Sequence, residues 1–253
     1  MTSYFNRAGS RGFRWGSLQR VAASCAVAGA LAISVLVPPV SSVAQDRELP
    51  RMTAEAEAMA SRGADLGMSS EAIANAVARL EAGMLPESHL PGRLPVDAKM
   101  TRSDFMITEI ATFSDGSVSR LTYPDFVAMS NAVWEADAEV LAKAGSATGC
   151  SYKYTSAAIT WTNCQINGAD IYVNLAYRLD ATMVRGYSAK LSRVYDNQAF
   201  GKLGSLSHVR FGIVDPSAAQ YHVIWTAYGN VASFTRTLTA KTAAGGALSV
   251  SLY

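Results

Sequence analysis

An α+β chain is expected: a short acidic helical N-terminal region followed by an antiparallel β-sandwich or barrel of about eight strands. Three observations predict it. Residues 53–85 are rich in Ala, Glu and Met and nearly free of β-branched residues, which favours helix. From residue 150 onward apolar and polar residues alternate with period two, the mark of a half-buried strand. Turn residues separate these runs at short intervals, as in antiparallel sandwiches and barrels.

Residues 1–44 read as a secretory signal. Arg7, Arg11, Arg14 and Arg20 precede a 17-residue apolar run over 21–37, and Ser42-Val43-Ala44 closes the segment. Basic, apolar, then small residues at −3 and −1 is the export pattern. Cleavage after Ala44 leaves Gln45 first and puts the protein outside the cell. No Arg-Arg pair marks a twin-arginine signal, and Cys25 lies too early in the run for lipoprotein cleavage. The alternative is an uncleaved membrane anchor, because 17 residues reach the low end of a spanning helix.

Beyond the signal the charge is uneven. Residues 45–149 carry 9 basic and 16 acidic residues, net −7, whereas residues 150–253 carry 9 basic and 4 acidic, net +5. The change falls at the Gly-rich AGSATG over 144–149. The expected organisation is therefore signal peptide (1–44), helical region with a Leu-Pro-rich tether (45–104), hairpin plus helix (105–149) and antiparallel β-domain (150–253).

Within 53–85, Ser69 or Ser70 caps a second helix with Glu71 in its first turn. Ile73, Val77 and Leu80 form its apolar stripe, and Gly83 ends it. Gly63 and Gly67 interrupt the first helix. LPESHLPGRLPVD over 85–97 repeats Leu-Pro three times and reads as an extended tether, since proline removes a donor and biases its predecessor to extended geometry. His89 within it is expected in solvent. The same stretch suggests a second role for 45–104, as a segment removed on maturation. In FMITEIATFSDGSVSRLTYP over 105–124, Asp115-Gly116 predicts a type I′ hairpin with Phe113 facing Val118 and Ile110 facing Leu121. Over 126–145, Phe126, Met129, Val133 and Val140 share a helical face, and Gly145 stops it.

The strand-like runs follow. Ile171, Val173, Leu175, Tyr177 and Leu179 point one way, with Asn174 and Arg178 the other. Tyr187, Ala189 and Leu191 oppose Ser188, Lys190 and Ser192. Val209, Phe211 and Ile213 alternate with His208 and Arg210. Residues 220–229, 232–241 and 246–253 complete the set.

Cys150 and Cys164 flank a hairpin whose midpoint is Ala157. Turning there sets the two cysteines opposite each other, within reach of a disulfide. An even cysteine count in an exported chain argues the same way. The symmetric pairing puts Tyr152 against Thr162, Tyr154 against Thr160, and Trp161 on the other face across from Lys153. A bulge would change the faces but not the bridge. A zinc site needs further ligands, and no CxxC, HxH or HExxH occurs. With the SDGSVS and GC…WTNC hairpins and the strand-rich C-terminal part, residues 105–253 resemble a loose group of uncharacterised exported bacterial proteins with a small disulfide-containing β-domain. That resemblance implies export and a β-domain, and it transfers no catalytic residue.

Chemistry is sparse. His208 and His222 alternate with apolar residues on strands, as polar positions of an outer face do. With Asp215 and Ser188 or Ser205 they are the weak candidates for a hydrolytic site. GYSAK over 186–190 lacks the second glycine of a nucleophile elbow. Asp170, Asp180, Asp196 and Asp215 each fall near a turn, the ordinary place for aspartate. No phosphate loop or dinucleotide fingerprint occurs, so no cofactor and no metal are expected.

The basic, aromatic half is more suggestive. Lys153, Arg178, Lys190, Arg210 and Arg236 fall on outward positions, with Trp161, Tyr152, Tyr154, Tyr172, Trp225 and Tyr228 among them. Trp161, Lys153, Arg178, Lys190 and Arg210 are the expected binding residues for an anionic or glycan polymer of the cell wall. The charge is too thin for nucleic acid. The function expected is a secreted, non-catalytic β-domain protein that binds at the cell envelope or to an extracellular partner. The alternative is a secreted hydrolase using His208 or His222.

Overall fold

The computed structural model describes residues 49–90, 92–135, 148–185, 187, 189–230 and 232–253, with side chains from residue 57 onward. The signal or anchor over 1–44, the expected helical stretch beyond Glu135 with Val140 and Gly145, and Ser188 lie outside the described residues.

Helix α1 spans Leu49–Asp65 and α2 spans Ser70–Glu81. Ser69 caps α2, its Oγ accepting from the Ala72 amide at 3.1 Å. Met59, Leu66, Met68, Ala76 and Leu80 are buried. Gly63 does not interrupt α1. A Cβ there would lie 2.4 Å from Cγ1 of Ile73, so the glycine lets α2 pack close against α1.

The first half of the Leu-Pro segment is not a solvated tether, whereas residues 92–97 are exposed. Glu87–His89 form a 3-10 turn, and the His89 side chain is fully buried. The Glu87 amide donates to Asp115 at 2.7 Å, and the Ser88 amide donates to Ser117 Oγ at 3.1 Å. These bonds seat the segment on the β2–β3 turn, where β2 is Met106–Thr112 and β3 is Val118–Pro124.

That turn departs from the expected type I′ geometry. Thr112 pairs with Val118, and Ile110 pairs with Arg120. The register is one residue off, because the loop is Ser114, Asp115 and Gly116, closed by the Phe113 amide donating to the Ser117 carbonyl, and Gly116, at φ +79°, takes its left-handed third position. Strand β1 (Asp97–Ser103) precedes it and pairs with β2. Every residue of β1 is exposed, so no alternation announced it.

Asp125 caps α3 (Phe126–Trp134) through the Ala128 amide, and Phe126, Met129 and Val133 are buried as expected. Then come β4 (Ser151–Tyr154), β5 (Ala158–Ala169), β6 (Val173–Val184) and β7 (Lys190–Gly201). The last four strands are β8 (Gly204–Asp215), β9 (Ala218–Ala227), β10 (Ser233–Thr242) and β11 (Leu248–Leu252).

These eleven strands form two antiparallel sheets. One has the order β1-β2-β3-β5-β6-β7 with β4 added to β5; the other is β11-β10-β9-β8. The compositional change near residue 149 falls inside a sheet, since β3 pairs with β5. Between the sheets, Tyr172 stacks on Trp225 at 5.1 Å and Tyr177 tilts against Phe211 at 5.6 Å. Ile171, Val173, Leu175, Tyr177 and Leu179 are all buried, as their period demanded. Two bulges in β8, between His208 and Arg210 and between Ile213 and Asp215, insert Val209 and Val214, and both are exposed. Such bulges also blunt an open edge strand.

Cys150 and Cys164 are disulfide-bonded, with Cα atoms 4.4 Å apart. A bulge between Trp161 and Cys164, with Asn163 at φ +66°, shifts the facing pairs by one. Tyr152 therefore faces Trp161, and Lys153 faces Thr160. Breaking the bridge is expected to cost about 3 kcal/mol on the loop-entropy argument. Urea denaturation of a Cys150→Ser, Cys164→Ser chain measures this, and an unmoved midpoint would contradict it.

Candidate functional site

The register across sheet A, the larger sheet, builds a polar outer face. Lys153, Thr160, Thr182 and Lys190 form one row across β4, β5, β6 and β7. The two threonine hydroxyls meet at 3.3 Å. Three interstrand steps place the two lysine strands about 14 Å apart, and both lysines are exposed. Arg178 and Arg193 lie on the same face, opposite Tyr195 and Asp180. Each is partly neutralised: Arg178 Nε lies 3.6 Å from Asp196, and Arg193 Nε lies 3.9 Å from Asp180. Among the described residues no acid lies within ion-pair distance of Lys153 or Lys190.

Of the expected binding residues, the structure thus gathers Lys153, Arg178 and Lys190. It places Arg210 on the other sheet, opposite His222. Trp161 is a correction, since the bulge turns it inward and it is fully buried. Its Nε1 donates to Ser130 Oγ at 3.2 Å. Arg236, Tyr172 and Trp225 are buried as well; Tyr154 and Tyr228 are exposed.

The histidines do not converge. Tyr221 and His222 are neighbours on β9 and so point to opposite faces. His208 Nδ1 meets the hydroxyl of inward-facing Tyr221 at 2.5 Å. His222 lies on the other face, held by Thr237 at 2.9 Å and Gln220 at 3.0 Å. Burial and then Arg210 lower its pKa. Asp215 accepts from the Ser217 amide and hydroxyl at 2.7 and 2.6 Å, which makes it a turn residue. Ser205 sits opposite Thr226 on β9. No group of three or more potential metal ligands occurs among the described residues.

A buried polar cluster stands where no local pattern announces one. Asp170 Oδ1 accepts from the amides of Tyr172 and Val173, both at 2.8 Å. Its Oδ2 accepts from Arg236 Nε at 2.8 Å and lies 3.2 Å from His89 Nε2. Burial raises the Asp170 pKa, but Arg236, His89 and the Val173 amide outweigh it and hold the carboxylate below its usual range. For His89, burial dominates and Arg236 adds to it against the pull of Asp170; its pKa falls to about 4. The imidazole is neutral at pH 7, wedged edge-on against Phe234 at 4.3 Å and Tyr172 at 5.3 Å. Arg62 of α1 reaches the same turn, donating to the carbonyls of Asp170 at 2.5 Å and Val173 at 2.8 Å. The cluster is sealed, so it holds the fold and offers no route for substrate.

A cleft of about 330 Å³ lies between α3, the end of β6 and the Gly245 turn. Val184 on its wall lies two residues along β6 from Thr182, hence on the same outer face as the lysine row. No sequence signal pointed to it, because Trp134 ends α3 while Arg185 and Tyr187 follow β6, some fifty residues along the chain. Among the described residues no helix is long and apolar enough to cross a membrane. Compared with family models, curated proteins and solved structures, the chain matches none.

Proposed function

We propose that this is an exported, non-catalytic binding protein that attaches through the outer face of sheet A to an anionic polymer of the cell envelope. The observation that carries the reading is the Lys153–Thr160–Thr182–Lys190 row. It sets two exposed cations on a broad antiparallel face, about 14 Å apart, where both can meet one chain molecule. Export is supported by the signal pattern over 1–44 and by the disulfide. The separation of His208 from His222 leaves the hydrolase alternative without a constellation.

Sedimentation of the chain beginning at Gln45 with purified cell wall tests the reading. Binding is expected at low salt, falling steeply as the screening length drops from about 10 Å at 0.1 M salt to about 3 Å at 1 M. Lys153→Glu with Lys190→Glu is expected to abolish low-salt binding while leaving the melting curve unchanged. Failure of the parent chain to sediment at low salt would end the electrostatic reading.

A further inference from the structure

We propose that the cleft beside α3 takes a carboxylate-bearing sugar unit. Arg185, held on one face of Trp134, pairs its carboxylate, and Tyr187 and the uncovered part of Trp134 border its ring. This names the ligand chemistry of the envelope-binding reading and rests on it.

The floor of the cleft is chemically finished. Ser130 Oγ donates to Met183 Sδ at 3.0 Å and accepts from Trp161 Nε1 at 3.2 Å, so it makes no polar demand. The rim is the opposite. Asn131, Glu135 and Arg185 line it, and Asn131 and Glu135 are exposed. Among the described residues Arg185 has no ion pair. Its guanidinium lies 5.4 Å from the centre of the Trp134 ring, which holds the cation on one face of that ring without neutralising it. Tyr187 stands 70% exposed on the same rim. A concavity with aromatic walls and a few unspent polar groups is how small-ligand sites are built. Its volume of about 330 Å³ is at the low end for such sites, roughly 300–1,000 Å³, and suits one unit of a polymer.

The polar groups select the class. A guanidinium pairs a carboxylate with two parallel hydrogen bonds. The Glu135 carboxylate on the same rim opposes a dianion such as phosphate, while Glu135 and the Asn131 amide suit hydroxyls. Aromatic faces suit the apolar faces of a sugar ring. A monoanionic, hydroxyl-rich ring satisfies all of these together.

The test titrates the chain beginning at Gln45 with glucuronate, glucose and acetate, read by tryptophan fluorescence and by indole N–H shifts. Glucuronate is expected to saturate, with glucose and acetate each weaker by about tenfold or more, the worth of one charge-assisted pair. Arg185→Met is expected to lower glucuronate affinity by the same factor, with Arg185→Lys between. Tyr187→Ala, at an exposed position, is the second variant and is expected to weaken glucuronate and glucose alike. Equal affinity for glucuronate and glucose, or glucuronate affinity unmoved by Arg185→Met and Tyr187→Ala, would overturn the assignment. Cell-wall sedimentation of Arg185→Met separates the two readings. If wall binding survives while the parent chain ignores glucuronate, the cleft proposal fails and the lysine face stands. If glucuronate saturates but the parent chain never sediments, the envelope reading fails and the cleft keeps its ligand class.

Discussion

A chain beginning at residue 105 is expected not to fold. The acidic N-terminal part looks separable by composition, but its side chains complete the sandwich. Met59, Leu66, Met68 and Leu80 are all buried, and at about 1.5–3 kcal/mol each they contribute roughly 6–12 kcal/mol. That is comparable with the whole stability of an ordinary domain, about 5–15 kcal/mol. The deletion also removes β1 from the sheet and the Arg62 bonds to the Asp170 turn. It strips the Glu87 amide from Asp115, and it takes His89 out from between Phe234 and Tyr172. The expected result is loss of near-UV circular dichroism and of any cooperative urea transition in the 105–253 chain. A sharp transition at the parent midpoint would mean that residues 45–104 only rest on a self-sufficient β-domain, and would revive their reading as a removable segment.

What could be read in the chain, and what could not, divides along a physical line. Features set by near neighbours were legible: the Ser69 cap, the apolar stripe of α2, the alternation through β6, and the reach of Cys150 to Cys164. Features set by a single inserted residue were not. The bulge at Asn163 moved Trp161 from the expected outer face to the core and set Lys153 opposite Thr160. One residue of loop geometry at Gly116 shifted the β2–β3 register in the same way. Period two amplifies such slips, because each exchanges the two faces. The buried cluster was hidden for another reason. Proline-rich composition describes backbone preference, and nothing local in LPESHLPGRLP says that His89 will meet Asp170 and Arg236, which lie far along the chain. Strand alternation places Arg236 outward because a strand offers charge to water by default, and only the pairing with Asp170 permits its burial. The cleft is illegible in the same sense, assembled from α3, the end of β6 and a distant turn.

Acid is expected to loosen the molecule through His89, beginning above the range where carboxylates titrate. The imidazole is buried and neutral, with a pKa near 4 against 6.5 in the unfolded chain. Because the folded value is depressed, the unfolded state binds the proton first. The stability present at neutral pH is therefore lost as pH falls below 6.5, and the loss is complete below about 4. At about 1.4 kcal/mol for each pH unit in that window, it comes to about 3 kcal/mol. The groups facing His89 fix the sign. Asp170 and Asp115 favour the charged ring, Arg236 opposes it, and the burial that Tyr172 and Phe234 help to impose outweighs both acids. Asp170, held below its usual range, adds its own loss only at lower pH. Urea midpoints measured between pH 7 and pH 4 should fall steadily in the parent chain. In His89→Gln the slope over this window should flatten, although the variant starts lower because the fit against Phe234 and Tyr172 is lost. If the variant keeps the parent's slope, the proton enters elsewhere, and the buried histidine is only a wedge between the sheets.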